Sequence, residues 1–365
     1  MAKRILIAAG GTGGHIYPAL AIAEALRQQE PDVIIEFVGT AHGLENKLIP
    51  PKGYKVHHLP IGRLNSNVPL TERLTTLLKL PLALWRSFSL LRKIQPELVL
   101  GVGGHASGPL LLAAAMGRYR TAIWEPNAMP GMANRWLARF VDECWVVFEE
   151  AKNRLRGHKV KTAGMPVRSE IEKVKRATTG SFHVLIFGGS QGARGVNTVV
   201  ADMIKRLGLV LHDVDFTHQT GAGDFDRVIG LYGAELSQLP VDVKPYIQDM
   251  ASEYAKADLV VCRSGTGSLS ELAACGVPAI LIPFPFASDD HQRKNAESLV
   301  DRGAALMILQ KDLTAEKLCE AIAGLKSDPE RLKRMGENMR QFHHPGAAMT
   351  LAKNFLERIE NHATS

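Results

Sequence analysis

Two glycine turns bearing hydroxyl residues stand where an apolar run gives way to a helical pattern. One is Gly10-Gly11-Thr12-Gly13-Gly14, the other Gly188-Gly189-Ser190-Gln191-Gly192. Such a turn lets backbone amides approach a phosphate, and the dipole of the following helix favours the negative charge. Ser190 is placed to reach a phosphate oxygen. Neither turn is GxGxxG, and the second strand ends at Val38-Gly39-Thr40 without the acidic residue that holds a dinucleotide ribose, so NAD binding is disfavoured. His15 directly follows the first turn, where a helix N-terminus depresses the imidazole pKa. It is either a general base or a capping and packing residue. Arg263 to Glu271 repeats the theme of free amides and hydroxyls, with Ser268 among them. Glu271 can accept two hydrogen bonds from vicinal ribose hydroxyls, or serve as a first-turn acid complementing the dipole. Gln292, after the proline-rich stretch 283–287, offers both a donor and an acceptor to sugar hydroxyls, or merely starts a surface helix.

The elements needed to position these groups follow from the alternation of short β-rich runs with amphipathic segments. Residues 5–9, 33–38, 55–59, 98–102, 121–124 and 143–147 read as strands. The rhythm restarts after Gly164-Met165-Pro166 with 183–187, 215–218, 242–246, 258–262 and 279–282. This predicts α/β architecture with two Rossmann-like, doubly wound parallel-sheet domains, spanning 1–163 and 164–340. A helical segment at 341–365 completes the chain. The 365 residues suit two cores of ordinary size.

Lys and Arg (44) exceed Asp and Glu (37), which favours anionic partners. No dense basic helix or aromatic-basic run supports nucleic-acid binding. Cys144, Cys262, Cys275 and Cys319 lack CxxC or metal-ligand spacing and read as buried, reduced thiols. Asp213/Asp215 and Asp224/Asp226 match the DxD spacing of metal-dependent transferases, but such pairs arise by chance in a chain this long. Apolar runs fall short of a membrane span. Residues 69–93 place Leu74, Leu77, Leu78, Leu84, Trp85, Phe88 and Leu91 at helical spacing among Arg73, Lys79, Arg86, Arg92 and Lys93. They read as an interfacial amphipathic segment kinked or split at Pro81, or as a core-facing helix with a basic outer face.

Gly11-Thr12-Gly13-Gly14-His15 with Pro18, Gly103-Gly104 with Ser107-Gly108-Pro109, Glu125, Asn127-Ala128, Pro166-Val167-Arg168, the 188–192 turn, Tyr246-Ile247, Cys262-Arg263-Ser264-Gly265 and Asp289-Asp290-His291-Gln292 occur in an order that resembles the MurG family of N-acetylglucosaminyltransferases. The resemblance covers nearly the whole chain. It implies a GT-B fold whose two domains face a cleft, with UDP-N-acetylglucosamine held mainly by the second domain and an undecaprenyl-pyrophosphoryl-muramyl pentapeptide by the first. Ile247 would present backbone groups to uracil, Glu271 would hold ribose, and Ser190 the diphosphate. Arg168, Asn127 and Gln292 would address phosphate and sugar, while Thr12, Gly13, Gly14 and the loop bearing Gly103, Gly104, His105 and Ser107 would receive the acceptor. His15 would be the base of an inverting transfer to the muramyl 4-hydroxyl, with no essential metal or other cofactor. The 341–365 segment would return to the first domain. Leu78, Lys79, Trp85, Arg86 and Phe88 would dock on anionic lipid at the cytoplasmic face of the inner membrane, where cell-wall synthesis proteins are further partners. The sequence departs from the family pattern at His105, Pro126, Met165 and Thr266-Gly267, which touches loop detail. The alternatives are a transferase for another UDP-sugar and lipid-linked acceptor, or a sugar-nucleotide binder without turnover.

Overall fold

The computed structural model describes residues 2–11, 13–62, 69–155, 159–177, 180–189, 192–207, 211 and 213–361. The chain divides into two compact units. One comprises Met1–Val167, Ser288–His291 and Gly346–Ser365; the other comprises Arg168–Ala287 and Gln292–Pro345.

The first unit is built on β1 (Arg4–Ala8), β2 (Ile34–Gly39), β3 (Lys55–His58), β4 (Leu98–Gly101), β5 (Thr121–Glu125), β6 (Glu143–Val146) and β7 (Val160–Thr162). All pair in parallel, in the order β3-β2-β1-β4-β5-β6-β7, with Ile7 lying between Phe37 and Leu100. The helices are α1 (Gly13–Gln29), α2 (Glu45–Leu48), α3 (Leu70–Ile94), α4 (Ser107–Met116) and α5 (Met132–Leu137). A parallel sheet covered on both faces needs strands that are apolar throughout, not alternating. The run Ile5-Leu6-Ile7-Ala8 meets that need. Ile5 and Ile7 join one core with α1, and Leu6 and Ala8 join another with α3 and α4.

The second unit carries β8 (Phe182–Phe187), β9 (Val214–Gln219), β10 (Val241–Lys244), β11 (Leu259–Cys262), β12 (Ala279–Leu281) and β13 (Ala305–Met307), again parallel, in the order β10-β9-β8-β11-β12-β13. Its helices are α6 (Ser169–Glu172), α7 (Arg194–Leu207), α8 (Phe225–Tyr232), α9 (Met250–Lys256), α10 (Thr266–Cys275), α11 (His291–Val300), α12 (Ala315–Lys326) and α13 (Pro329–Arg340). The edge strands β7 and β13 escaped sequence reading, whereas the equally short β12 was read from its fully buried apolar run Ala279-Ile280-Leu281; β7 (Val160-Lys161-Thr162) and β13 have no such run. After Gly346, whose φ is 63°, α14 (Ala347–Glu360) seats Leu351, Phe355 and Ile359 in the same core as α1.

In each sheet the strand order reverses once, between β1 and β4 and between β8 and β11. Ligands of open α/β sheets bind at such switch points, beyond the carboxyl ends of the strands.

Of the kink or split expected at Pro81, the split does not occur. α3 runs unbroken for 25 residues, with Pro81 inside it. Nor does its large apolar stripe face inward as a whole. The buried positions are Thr76, Ala83, Ser87, Leu91 and Ile94, while Leu74, Leu77, Leu82, Leu78 (81% exposed) and Trp85 (66%) face outward. Leu84 and Phe88 pack partly against the core.

Candidate functional site

At the first switch point the ends of β1 and β4 fit together through absent side chains. A Cβ on Gly104 (φ 89°) would lie 2.6 Å from the Gly10 carbonyl oxygen, and one on Gly103 (φ 127°) would lie 2.5 Å from His15 Cδ2. The His15 ring therefore occupies the space that any side chain at 103 would fill. His15 is the third residue of α1, as the sequence predicts, and its pKa is depressed to about 4. Burial is the main cause rather than the helix dipole alone, because a shielded imidazole resists charging. Its Nδ1 is shielded and without a hydrogen-bond partner among the described residues.

Ser107 departs from the expected acceptor-facing role. It is 1% exposed, and its hydroxyl donates to Gly103 O at 2.9 Å. It braces the loop instead of presenting a group to a ligand. His105 and Gly104 remain partly exposed, as do Gly13 and His15, and Gly14 is exposed. Thr12 lies outside the described residues.

A residue that the sequence reading missed holds the first turn. Glu45, fully buried, accepts from Gly11 N at 3.0 Å, Thr40 N at 2.7 Å and Thr40 Oγ1 at 2.9 Å. Burial opposes its charge, and the amides of Thr40 and Gly11 outweigh that, holding the carboxyl below its ordinary range. The signal lay in the surrounding glycines, since a Cβ on Gly43 would fall 1.9 Å from the Glu45 carboxylate.

Glu125 does the same for the loop after β5. Its Oε1 accepts from Asn127 N (2.9 Å) and Nδ2 (3.2 Å), and its Oε2 from Gly131 N (3.0 Å) and Asn134 Nδ2 (2.8 Å). Burial nevertheless pushes its carboxyl above the usual range. Asn127 is thus oriented by a carboxylate beneath it.

In the second unit Glu271 is the centre of a cluster. Its Oε1 accepts from Arg168 Nε (3.1 Å) and Nη2 (3.0 Å), and its Oε2 from the hydroxyl of the fully buried Tyr254 (3.0 Å). Glu271 is not a first-turn acid: α10 begins at Thr266, so it belongs to the second turn, while Ser268 lies in the first. The reading as a first-turn acid complementing the dipole therefore fails, and the carboxylate is held by side chains.

Ile247 is 4% exposed, and its amide already donates to Gln219 Oε1 at 2.8 Å, which corrects the expectation that both of its backbone groups face a base. Only the carbonyl is left. Gln219 also donates through Nε2 to Gly189 O at 3.2 Å, joining that segment to the second glycine turn. Ser190 and Gln191 lie outside the described residues. Gly192 (φ 75°) admits no side chain, because a Cβ would sit 2.0 Å from the Thr220 carbonyl.

Arg263 shapes the neighbouring loop. Its buried guanidinium donates to Ile282 O and Pro283 O, both at 3.0 Å, and burial lowers its pKa to about 10. The loop's Phe284 amide donates to Gln292 Oε1 at 3.0 Å, so Gln292 keeps its side-chain amide donors for another partner. One member of each DxD pair is engaged by other side chains: Asp224 takes Arg227 (2.6 Å) and Asn197 (2.8 Å), and Asp215 takes the Ser181 hydroxyl. All four cysteines are free and buried.

The glycosyltransferase family 28 N-terminal domain matches residues 5–146, and the family 28 C-terminal domain matches residues 183–351. The UDP-N-acetylglucosamine--N-acetylmuramyl-(pentapeptide) pyrophosphoryl-undecaprenol N-acetylglucosamine transferase of Bdellovibrio bacteriovorus is 47% identical over 359 residues, covering 97% of this chain and 99% of the relative. The Myxococcus xanthus protein of the same description is 42% identical, covering 96% and 91%. The crystal structure of Acinetobacter baumannii MurG superposes with a TM-score of 0.81 at 29% identity, covering 97% and 99%. This chain belongs to the MurG family. It is an N-acetylglucosaminyltransferase, and its two parallel-sheet domains are those of the GT-B fold found in MurG. Both switch points fall inside the matched domains, whereas Arg168 lies between the two matched ranges.

Proposed function

We propose that this MurG-family transferase moves N-acetylglucosamine from UDP-N-acetylglucosamine to the muramyl 4-hydroxyl of undecaprenyl-pyrophosphoryl-muramyl pentapeptide, lipid I, giving lipid II. The observation that carries this reading is near full-length identity of 47% to a transferase whose description states that donor and that acceptor. The geometry supplies matching chemistry. The acceptor oxygen forms a bond to the anomeric carbon as the bond to the UDP oxygen breaks, inverting the centre. The hydroxyl becomes strongly acidic as its new bond forms, so a neutral imidazole of low basicity suffices to take the proton late. His15 is such a group.

UDP departs carrying the negative charge, which backbone amides at the second turn and α10, together with Arg168, stabilise without a dedicated acid or a metal. Glu271, aligned by Tyr254, accepts from the ribose hydroxyls, and the Ile247 carbonyl meets the uracil ring. Arg168 then leaves Glu271 Oε1 to the ribose and turns to phosphate. Gln292 and Asn127 address sugar hydroxyls, and Gly13, Gly14 and the Gly103-Gly104 turn receive the acceptor.

The outward Leu74, Leu77, Leu78 and Trp85 of α3, with Lys79 and Arg86 beside them, suit a peripheral seat on anionic lipid, where the undecaprenyl chain resides. Each well-placed cation contributes about 1 kcal/mol there. Among the described residues no helix is long and apolar enough to cross a membrane. The test is UDP release from UDP-N-acetylglucosamine, with and without a lipid I analogue and in the presence of chelator. Acceptor-dependent release that survives chelation supports the reading; donor binding without release under all conditions removes it.

A further inference from the structure

The opposite edge of the first sheet, where β4 to β7 begin, opens into a cleft of about 850 Å³ bounded by the last turns of α14. Arg118 and Arg120, on the turn into β5, line it with Lys159, which immediately precedes β7. None of these three cations forms an ion pair among the described residues. Glu143, at the start of β6, is 3% exposed. One oxygen faces Arg358 Nη1 at 3.4 Å and Lys161 Nζ at 3.8 Å, while the other has no partner. Glu97 Oε2 and the Nε atoms of Arg120 and Arg358 are likewise shielded and unpartnered.

Among the described residues, two donors and two acceptors thus stand unpaired around one cleft. Each such loss costs about 1–3 kcal/mol, and native proteins keep few of them. Arg118, Lys159 and Arg120, whose Nη1 donates only to the Ile359 carbonyl at 3.1 Å, carry charge that no acid meets, whereas of the lining carboxylates Asp142, Glu143 and Glu357 are paired with Arg358, Lys161 and Lys353 and only Glu97 is not; the surplus calls for an anion. The orphan oxygens of Glu143 and Glu97 call for O–H donors on the same molecule. Inorganic phosphate carries its O–H groups only on the phosphorus that the cations hold, and a neutral polyol would leave the cations unserved.

We propose that this cleft binds a polyol phosphate, a phosphate ester carrying free hydroxyls. Its phosphate lies against Arg118, Arg120 and Lys159, and its hydroxyls donate to Glu143 and Glu97 after small rotations of those side chains. The site is a full strand length from the glycine turns and His15, so its occupant does not compete with either substrate. The same chemistry is offered by a soluble glycerol or sugar phosphate and by the phosphoglycerol headgroup of a lipid.

Titration calorimetry on the full chain with sn-glycerol 3-phosphate, inorganic phosphate and glycerol tests the chemistry. Vesicles of phosphatidylglycerol against phosphatidylcholine separate the two sources. Glycerol 3-phosphate should bind with a dissociation constant of ~1 mM or tighter, and at least about tenfold more tightly than phosphate or glycerol. The surface double variant Arg118→Ala, Lys159→Ala should lose at least about tenfold in affinity while melting like the parent. Glu143→Gln should abolish the preference for the ester over phosphate. Vesicle binding that needs Arg118 and Lys159, without binding of the soluble ester, assigns the site to lipid. No binding of either source by ~10 mM, equal binding of phosphate and ester, or binding unchanged in the double variant overturns the proposal.

Discussion

His15 defines a pH window that follows from its surroundings. Burial depresses its pKa to about 4, so the free enzyme carries the neutral, proton-accepting ring down to pH 5. At pH 5.5 an ordinary histidine of pKa ~6.5 is about nine-tenths protonated, which would cut kcat/KM to about a tenth. A ring at about 4 is only about 3% protonated and leaves the rate essentially unchanged. The assay is acceptor-dependent UDP release from pH 5 to 8 at constant ionic strength. Stability limits the window in the same direction. His15 and His218 both titrate at about 4 in the fold, below the unfolded value, because burial disfavours their charged forms. The stability each contributes is complete above pH ~6.5 and is lost as pH falls towards 4, by about 1.4 kcal/mol apiece at pH 5.5. That is small against the roughly 5–15 kcal/mol of a typical domain, and circular dichroism at each pH separates unfolding from titration. His15→Ala should lower kcat/KM by ~10²–10⁴ with UDP affinity retained. An acid limb centred near 6.5 in the parent would refute the burial argument, and a fully active His15→Ala would remove the base.

Three other perturbations probe the remaining parts of the machinery. Tyr254→Phe deletes one donor to Glu271 without opening a cavity and should weaken UDP binding about tenfold by calorimetry, roughly the worth of one hydrogen bond to a charged group; unaltered affinity would end the ribose assignment. Glu45→Gln turns an acceptor of three donors into one that presents an NH₂ to them, and should cost about 3 kcal/mol, seen as a melting temperature lower by about 6–12 °C; an unchanged melt would mean the turn is held elsewhere. Leu78→Ser with Trp85→Ser should reduce sedimentation with anionic vesicles at unchanged melting temperature. A drop in melting temperature would show that this face of α3 is packed.

What could be read in the sequence is what is local in the sequence. The glycine turns, the strand rhythm and the position of His15 depend on neighbours a few residues away, and the turns sit at the switch points as their spacing implies. The face presented by α3 was not legible, because spacing fixes a stripe but not its direction. The buried positions of α3, which packs against α4, include the small residues Ala83 and Ser87, which a search for large apolar side chains passes over. The Ile247 amide looked free in the sequence because its partner, Gln219, lies on another strand, and Ser107 because the Gly103 carbonyl that takes its hydroxyl comes within reach only once the loop has folded. Glu45 was missed as the holder of its turn for the same reason, since Gly11 and Glu45 are 34 positions apart; the partners of Glu125 lie within 9 positions, and it was missed because a loop wrapped around a buried acid leaves no periodic trace.

Those buried acceptors also bear on which turn receives the donor diphosphate. In the first unit the clamp is a carboxylate: Glu45 consumes the Gly11 amide and sets a negative charge beside the turn, so an anion there depends on the amides at Gly13 and Gly14. In the second unit the clamp is the neutral Gln219, which takes the Gly189 carbonyl and leaves the turn's amides unconsumed by it. Electrostatics therefore favours the second turn for the more highly charged group, since an added carboxylate opposes a diphosphate whereas an amide does not. The first turn, with its charge partly cancelled and a neutral imidazole packed under Gly103, suits a hydroxyl nucleophile better than a leaving anion. Gln219→Glu, which keeps the shape and imports the charge, should therefore weaken UDP binding far more than Gln219→Met, which only breaks the clamp. Equal losses would show that the clamp's geometry, and not its neutrality, decides where the diphosphate goes.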